Sequence, residues 1–251
     1  MKRRGDKTVH EMSSALWRKH VQMFDEIVKT HKNHEGVFVD GGCGSEQFLH
    51  RYADDFRCCI GIDFRLDGYQ RNSDKICYIS GDLEYIPLKD NSVDVFLTNF
   101  VLEHIKKPER FFEEVGRVMK PSSVFVSWTP NGHSPAGTFL RLLPVSLTRV
   151  LKRLYMKKAD FCPTYYRANC VSKLGRMLNR VGFFRTNLQM VDGVFYLSKS
   201  RVVRWLHTMY VRISNHGWLR YSKDIIFTVY EKPENYRSSS SMCGRRPSHF
   251  Q

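Results

Sequence analysis

Residues 37–49, VFVDGGCGSEQFL, hold the groups most suited to chemistry in this chain. An apolar run, Val37, Phe38 and Val39, ends in the carboxylate of Asp40, and Gly42 and Gly44 follow. That order predicts a buried parallel strand, a tight glycine turn and a helix start. Glycine suits the turn because the backbone must bend sharply and let a ligand come close. Strand ends of open α/β sheets are where nucleotide-like cofactors bind. A dinucleotide fingerprint would need a third glycine at position 47, where Gln47 stands. An acid just before the glycines suits a cofactor carrying positive charge better than one carrying phosphates.

Further acids follow at strand ends. The apolar run from Cys58 to Ile62 ends at Asp63, whose carboxylate is a natural bidentate acceptor for a diol. Ser80, Gly81, Asp82 and Leu83 lead to Ile86 and Pro87. A fourth strand, 93–99, ends at Asn99 and runs into Leu102, Glu103 and His104. Each acid has a plainer reading as a turn or helix cap. Asp40 either faces the cofactor or braces the glycine loop through hydrogen bonds. Cys43 reads as a small buried side chain, and His104 as a pocket wall, a hydrogen-bonded structural residue or a base.

In this order the motifs resemble those of the class I S-adenosylmethionine-dependent methyltransferases, in their small-molecule, type 11-like branch. Asp40, Gly42, Cys43 and Gly44 match the family's D-x-G-C-G-x-G, with Glu46 in place of its last glycine. The resemblance spans about residues 36–130. It implies a Rossmann-like seven-stranded α/β sheet with helices on both faces, and S-adenosyl-L-methionine as cofactor. Asp40, Gly42, Cys43, Gly44, Asp63, Asp82, Leu83 and Asn99 would then be cofactor-facing. Asp63 would accept the ribose hydroxyls, and Asp82 with the next backbone N–H would address the adenine amine. A side chain at Glu46 would crowd the methionine end of the cofactor.

Elements that must position these residues are legible by period. A helix is predicted over 13–32, with Trp17, Val21, Phe24 and Val28 at helical spacing. Another begins at Pro108 with an apolar stripe of Phe111, Phe112, Val115, Val118 and Met119, and Lys120 and Pro121 stop it. A fifth strand is expected over 123–128. A helix with Val171, Leu174, Leu178 and Val181 should end at Gly182. Strands over 183–191 and 225–230 complete the sheet. The division expected is an N-terminal helical segment, 1–32, a domain over 33–231, and a disordered basic tail, 232–251.

Two insertions, 131–168 and 192–223, interrupt this pattern, and in the family such insertions cover the cofactor and shape the acceptor pocket. Residues 1–130 carry 19 Lys and Arg against 20 Asp and Glu, whereas residues 131–251 carry 21 against 5. A neutral core under a basic cover attracts an anionic partner. After Pro144, Leu147, Val150, Leu151 and Leu154 share a helix face, with Arg149, Lys152, Arg153, Lys157 and Lys158 on the others. Val202, Leu206, Met209 and Ile213 repeat the spacing in the second insertion, beside Arg201, Arg204 and Arg212. Basic amphipathic helices either pack on the core or lie on anionic lipid.

Methyl transfer asks mainly for positioning, with a base only where the acceptor must lose a proton. His104 and His133 are the catalytic candidates, with Tyr165 or Tyr166 as further bases. Tyr165, Tyr166 and Arg167 are candidate substrate contacts, Arg167 holding a carboxylate or phosphate. The reading is methyl transfer to a small, anionic, lipid- or glycan-linked acceptor, at oxygen. Alternatives are a degenerate fold serving as a binding or membrane-adaptor module, and an RNA methyltransferase. Against the last, Thr98, Asn99, Phe100 and Val101 stand where base-amine methyltransferases carry N-P-P-[YF]. Seven scattered cysteines without a C-x-x-C pair argue against a metal site or disulfide framework and for a reducing cytoplasmic setting. The first residues lack a signal peptide's apolar core, and no run nears the ~18 residues of a span. The location expected is therefore cytoplasmic, with peripheral contact at an anionic membrane surface.

Overall fold

Strands β1 (Asn33–Gly41), β2 (Phe56–Asp63), β3 (Ile76–Ser80), β4 (Val93–Asn99), β5 (Met119–Pro130), β6 (Phe184–Val191) and β7 (Ile225–Glu231) form one sheet. Their order is β3-β2-β1-β4-β5-β7-β6. Pairings from β3 through to β5 are parallel, and β7 runs antiparallel to both β5 and β6. The computed structural model describes residues 18–44, 47–66, 74–135, 138, 163–192 and 201–235. Connections leave β1 toward β2 on one side and β4 on the other. The crevice of an open α/β sheet therefore lies above the C-terminal end of β1, where the glycines follow.

Both faces of the sheet are covered, which is why β1, β4 and β5 read as continuous apolar runs. Helix α1, over 18–30, and α2 (Gln47–Tyr52) cover one face. Phe24 of α1 packs against Phe48, Trp128 and Phe227 at 5.0–6.5 Å between ring centroids. Asp25 fastens α1 to α2 by accepting from Arg51 Nε at 2.6 Å and from the Tyr52 hydroxyl at 2.9 Å. The opening helix is thus built into the core rather than standing apart from it. Trp17 lies outside the described residues.

Helices α3 (Pro108–Val118) and α4 (Val171–Arg180) cover the other face. Phe111, Phe112, Val115 and Val118 are buried as their spacing predicts. Met119 departs from the expected helix stripe and opens β5, where it pairs with Val93. Pro121 disfavours helical backbone at Lys120, so the chain turns extended at once after Val118. This makes β5 longer than the expected 123–128. Helix α4 ends as predicted at Gly182, whose φ is +91°. Its N–H donates to the Asn179 carbonyl and that of Phe183 to the Leu178 carbonyl, a Schellman closure.

Lys232 belongs to the fold rather than to a tail. It is buried, and its ammonium donates to the carbonyls of Gly116 and Met119 at 2.8 and 2.7 Å. The residues after 235, Glu46, and the helix expected after Pro144 lie outside the described residues.

A clamp ties the segment after β3 to α3. Arg117 donates to the carbonyls of Ile86 and Leu88, each at 2.8 Å, and pairs with Glu114 at 2.8 Å. Glu114 also accepts the Ile86 N–H at 2.9 Å. Arg117→Ala should cost about 2–3 kcal/mol of stability in urea unfolding at neutral pH, because it strands two carbonyls and a carboxylate. The hydrogen bond from Arg117 holds the Glu114 carboxyl below its usual range, assisted by the Ile86 N–H. That contribution is present above the unfolded carboxyl's pKa and is lost as pH falls through the folded one. The difference between variant and wild type should therefore shrink in acid.

Candidate functional site

The glycine loop is held from below by β2. Gly42 N–H donates to the Ile62 carbonyl at 2.7 Å, and Cys43 N–H reaches the same oxygen at 3.4 Å. Gly42 has φ +77°, and a Cβ there would sit 2.4 Å from Val101 Cγ2. Gly44 has φ +43°, yet a Cβ on it would meet nothing nearer than the Gly42 carbonyl at 3.8 Å. One glycine is thus required by packing and the other borders open space. Gly42→Ala should lower stability by about 2–4 kcal/mol, from the left-handed backbone and the clash together. Val101→Ala in the same chain should restore the packing part but not the backbone part, which thermal unfolding of the pair would show.

Asp63 closes the loop from its other side. One carboxylate oxygen accepts Gly44 N–H at 3.2 Å and the other accepts Arg65 N–H at 3.1 Å. Asp82 makes a tight local turn by accepting Glu84 N–H at 2.8 Å. Leu83 is buried beneath the end of β1, so only its backbone is suited to a ligand. The Cys43 sulfur is buried against Gly61 of β2, a small side chain inside the loop as its sequence reading had it, which leaves its backbone for a ligand. Glu84 accepts the Lys107 N–H at 2.7 Å, fixing this segment to the start of α3.

Asp40 is 2% exposed, and its Oδ1 has no hydrogen-bond partner. Burial, and secondarily the Asp63 carboxylate, push its pKa up to about 7. Buried side-chain atoms of Thr98, Asn99, Ser127 and Trp128 are likewise without partners. Register places them together, since Gly41 pairs with Thr98, Thr98 with Ser127 and Asn99 with Trp128. Unpartnered buried polar atoms are scarce in folded proteins and ask for an explanation. Here they cluster near the C-terminal ends of β1, β4 and β5, at the crevice. Phe100, next along, has φ +54°, a conformation costly for a bulky residue.

His20 is a neighbour that the sequence pattern did not single out. Its ring lies 4.1 Å from that of Trp128 and 6.3 Å from that of Phe100, and it interacts with Asn99. Burial lowers its pKa to about 4, so it is neutral in the physiological range. The signal was its place on the apolar face of α1, four residues before Phe24.

The strap 163–167 is fastened to the turn Leu102–His104. Tyr165 N–H donates to the Glu103 carbonyl at 2.6 Å, and His104 Nδ1 meets the Pro163 carbonyl at 2.9 Å. That nitrogen must carry the proton it donates, so His104 anchors the strap, the hydrogen-bonded role its sequence reading allowed, and its Nε2 is the basic nitrogen of the neutral ring. Arg167 donates to the Lys106 carbonyl at 2.7 Å and lies 5.6 Å over the Tyr165 ring. Its fork is thus partly engaged within the protein. Tyr166 has φ +52°, and burial together with the Glu103 carboxylate pushes its phenol up to about 12. Thr129 links Glu103 to Asn169, at 3.5 and 2.6 Å.

His133 follows β5 in a turn closed on Asn131 Oδ1 at 2.9 Å. It lines a separate cleft of about 810 Å³ beside α4, with Arg176, Arg185, Tyr221 and Tyr230. None of the glycine-loop residues lines that cleft. The geometry thus gathers Asp40, Gly42, Gly44, Asp63 and Asn99 at one crevice and leaves His133 to another surface.

Comparison with known proteins agrees with this geometry. Residues 39–127 match the family described as methyltransferase domain. An S-adenosylmethionine-dependent methyltransferase of Mycolicibacterium smegmatis is 32% identical over 96 residues, 37% of each chain. The malonyl-[acyl-carrier protein] O-methyltransferase of Yersinia pestis is 28% identical over 104 residues, 40% of this chain and 39% of that one. The chain thus spans under two fifths of these curated relatives. A chain of the complex between the Haloferax volcanii Trm112 methyltransferase activator and a methyltransferase superposes with a TM-score of 0.56 at 13% identity. That superposition covers 93% of this chain and 99% of the other, and at such identity it speaks for the fold.

Proposed function

We propose, from a chain that carries a methyltransferase domain in the class I Rossmann-like fold, that it methylates a small anionic acceptor using S-adenosyl-L-methionine. The observation that carries this reading is the unpartnered buried carboxyl oxygen of Asp40 beside the Gly42–Gly44 turn. A cofactor with a sulfonium and an ammonium fits a crevice that presents a buried carboxyl and bare glycine backbone. Asp63 would hold the ribose hydroxyls, Asp82 and the Leu83 N–H the adenine, and Asp40 and Asn99 the charged end. Bound there, the cofactor would supply an activated methyl group. The chain's own part is then to orient the acceptor and exclude water. The strap fastened to Glu103 and His104 would close the crevice on the acceptor side, with Tyr165, Tyr166 and Arg167 as its acceptor contacts.

An anionic acceptor, lipid- or glycan-linked and methylated at oxygen, is the class we infer from the basic cover, 21 Lys and Arg against 5 Asp and Glu after residue 130. A cytoplasmic setting at a membrane surface goes with it. The test is calorimetric titration with S-adenosylmethionine and its demethylated product, followed by transfer of labelled methyl to anionic acceptors. Micromolar binding and turnover support the reading. A folded protein that binds neither would leave the fold as a binding or adaptor module.

A further inference from the structure

Helix α5 (Arg201–Ser214) presents an apolar stripe to solvent. Trp205, Met209 and Ile213 recur every four residues, which places them on one face. They are 62%, 37% and 52% exposed. Of the two readings open for this helix, packing on the core does not hold for Met209 and Ile213. The helix is held from its other side. Tyr210 donates its hydroxyl to the Ser222 carbonyl, and Ser214 is buried. Lys223 pairs with Asp192 at 3.0 Å and with Asn215 Oδ1 at 2.6 Å, which pins the segment's two ends together.

Charge identifies what this stripe meets. Residues 201–223 contain Arg201, Arg204, Arg212, Arg220 and Lys223 and neither Asp nor Glu. Arg212 adjoins Ile213 and is exposed. The Arg220 guanidinium lies 5.0 Å over the ring of Tyr221, itself 43% exposed. Tryptophan and aliphatic side chains flanked by arginines, without acids, suit the boundary between anionic headgroups and acyl chains. Position adds to this. The segment leaves β6 at Asp192 and returns to β7 at Ile225, both at the end of the sheet that bears the glycine loop. Phe64, Tyr85 and Phe100, exposed at 66%, 57% and 40%, lie at that same end.

We infer that the α5 face docks on an anionic phospholipid bilayer and turns the crevice toward it, so that the acceptor is drawn from the membrane surface. This deepens the lipid-linked arm of the proposed function, but its test needs no turnover. No helix among the described residues is long and apolar enough to cross a membrane, so the contact is interfacial.

The experiment is co-sedimentation of the full chain with vesicles of phosphatidylcholine alone and of phosphatidylcholine with phosphatidylglycerol. Trp205→Ser/Ile213→Ser runs beside the wild type, with thermal unfolding and cofactor titration of both. Binding to the anionic vesicles only, weakened by about tenfold or more in the variant with unchanged melting, is the expected result. Failure of the wild type to sediment, or equal binding by the variant, overturns the inference. An RNA oligonucleotide bound where vesicles are not would assign the basic face to nucleic acid and overturn it too. Vesicle binding by a chain that ignores the cofactor would uphold docking while removing the methyl-transfer reading.

Discussion

Asp63→Ala should bind S-adenosylmethionine roughly 100-fold more weakly than the wild type while keeping its fold. A carboxylate accepting two hydroxyls contributes about 3 kcal/mol beyond what water replaces. The folded state loses less. The two backbone N–H groups that Asp63 accepts, from Gly44 and Arg65, are at an exposed edge where water can take over. Calorimetric titration reports the affinity, and circular dichroism with thermal melting reports the fold. Asp63→Asn separates charge from shape, since the amide keeps one acceptor oxygen. An alanine variant with wild-type affinity would falsify the assignment of Asp63 to the cofactor.

Asp40 should make cofactor binding depend on pH. Its pKa is raised from an ordinary value of 3.8 to about 7 by burial first and by Asp63 second. Between those values the folded chain holds a proton that the unfolded chain has lost, so folding stability falls as pH rises across this window. A cation in the crevice favours the ionised carboxylate. Affinity should therefore climb by up to about tenfold per unit below the midpoint and level off above it. Binding near neutrality should release a proton, visible as a heat that changes with the buffer's ionisation enthalpy. Asp40→Asn should bind weakly with a flat profile and be more stable above neutrality. Asp63→Ala should move the midpoint down, because one of the two causes is removed. A flat wild-type profile would exclude Asp40 from the charged end of the cofactor.

The succession of strands along the chain and the glycine turn after the first were legible because they rest on local patterns. Val37 to Asp40 announce a buried strand, Gly42 and Gly44 a turn, and Asp63 a strand end, each within a few residues. Gly182 could be read as a cap for the same reason. What escaped was set by distant partners. Met119 belongs to a strand because Val93 lies beside it, 26 residues earlier. His20 is placed by Trp128 and Asn99, which meet it from strands far along the chain. His104 had several readings in its motif, and only the carbonyl of Pro163, far along the chain, fixes which of its ring nitrogens carries the proton. Helical spacing in α5 found an amphipathic face but could not say that it points outward, since periodicity is blind to which side finds a partner.

Val191 and Ile225 are register partners on adjacent antiparallel strands. Neighbouring strands lie about 5 Å apart, so the whole excursion between these residues starts and finishes at nearly one point. Topologically it is a hairpin turn that has grown. A hairpin tolerates exchange of its turn, because lengthening a closed loop costs only slowly rising entropy. A docking surface carried on this excursion would therefore be separable by inheritance from the crevice. On the proposed function, a lineage would then refit the chain to a new acceptor at β6–β7 while Asp40 and Asp63 pass on unchanged.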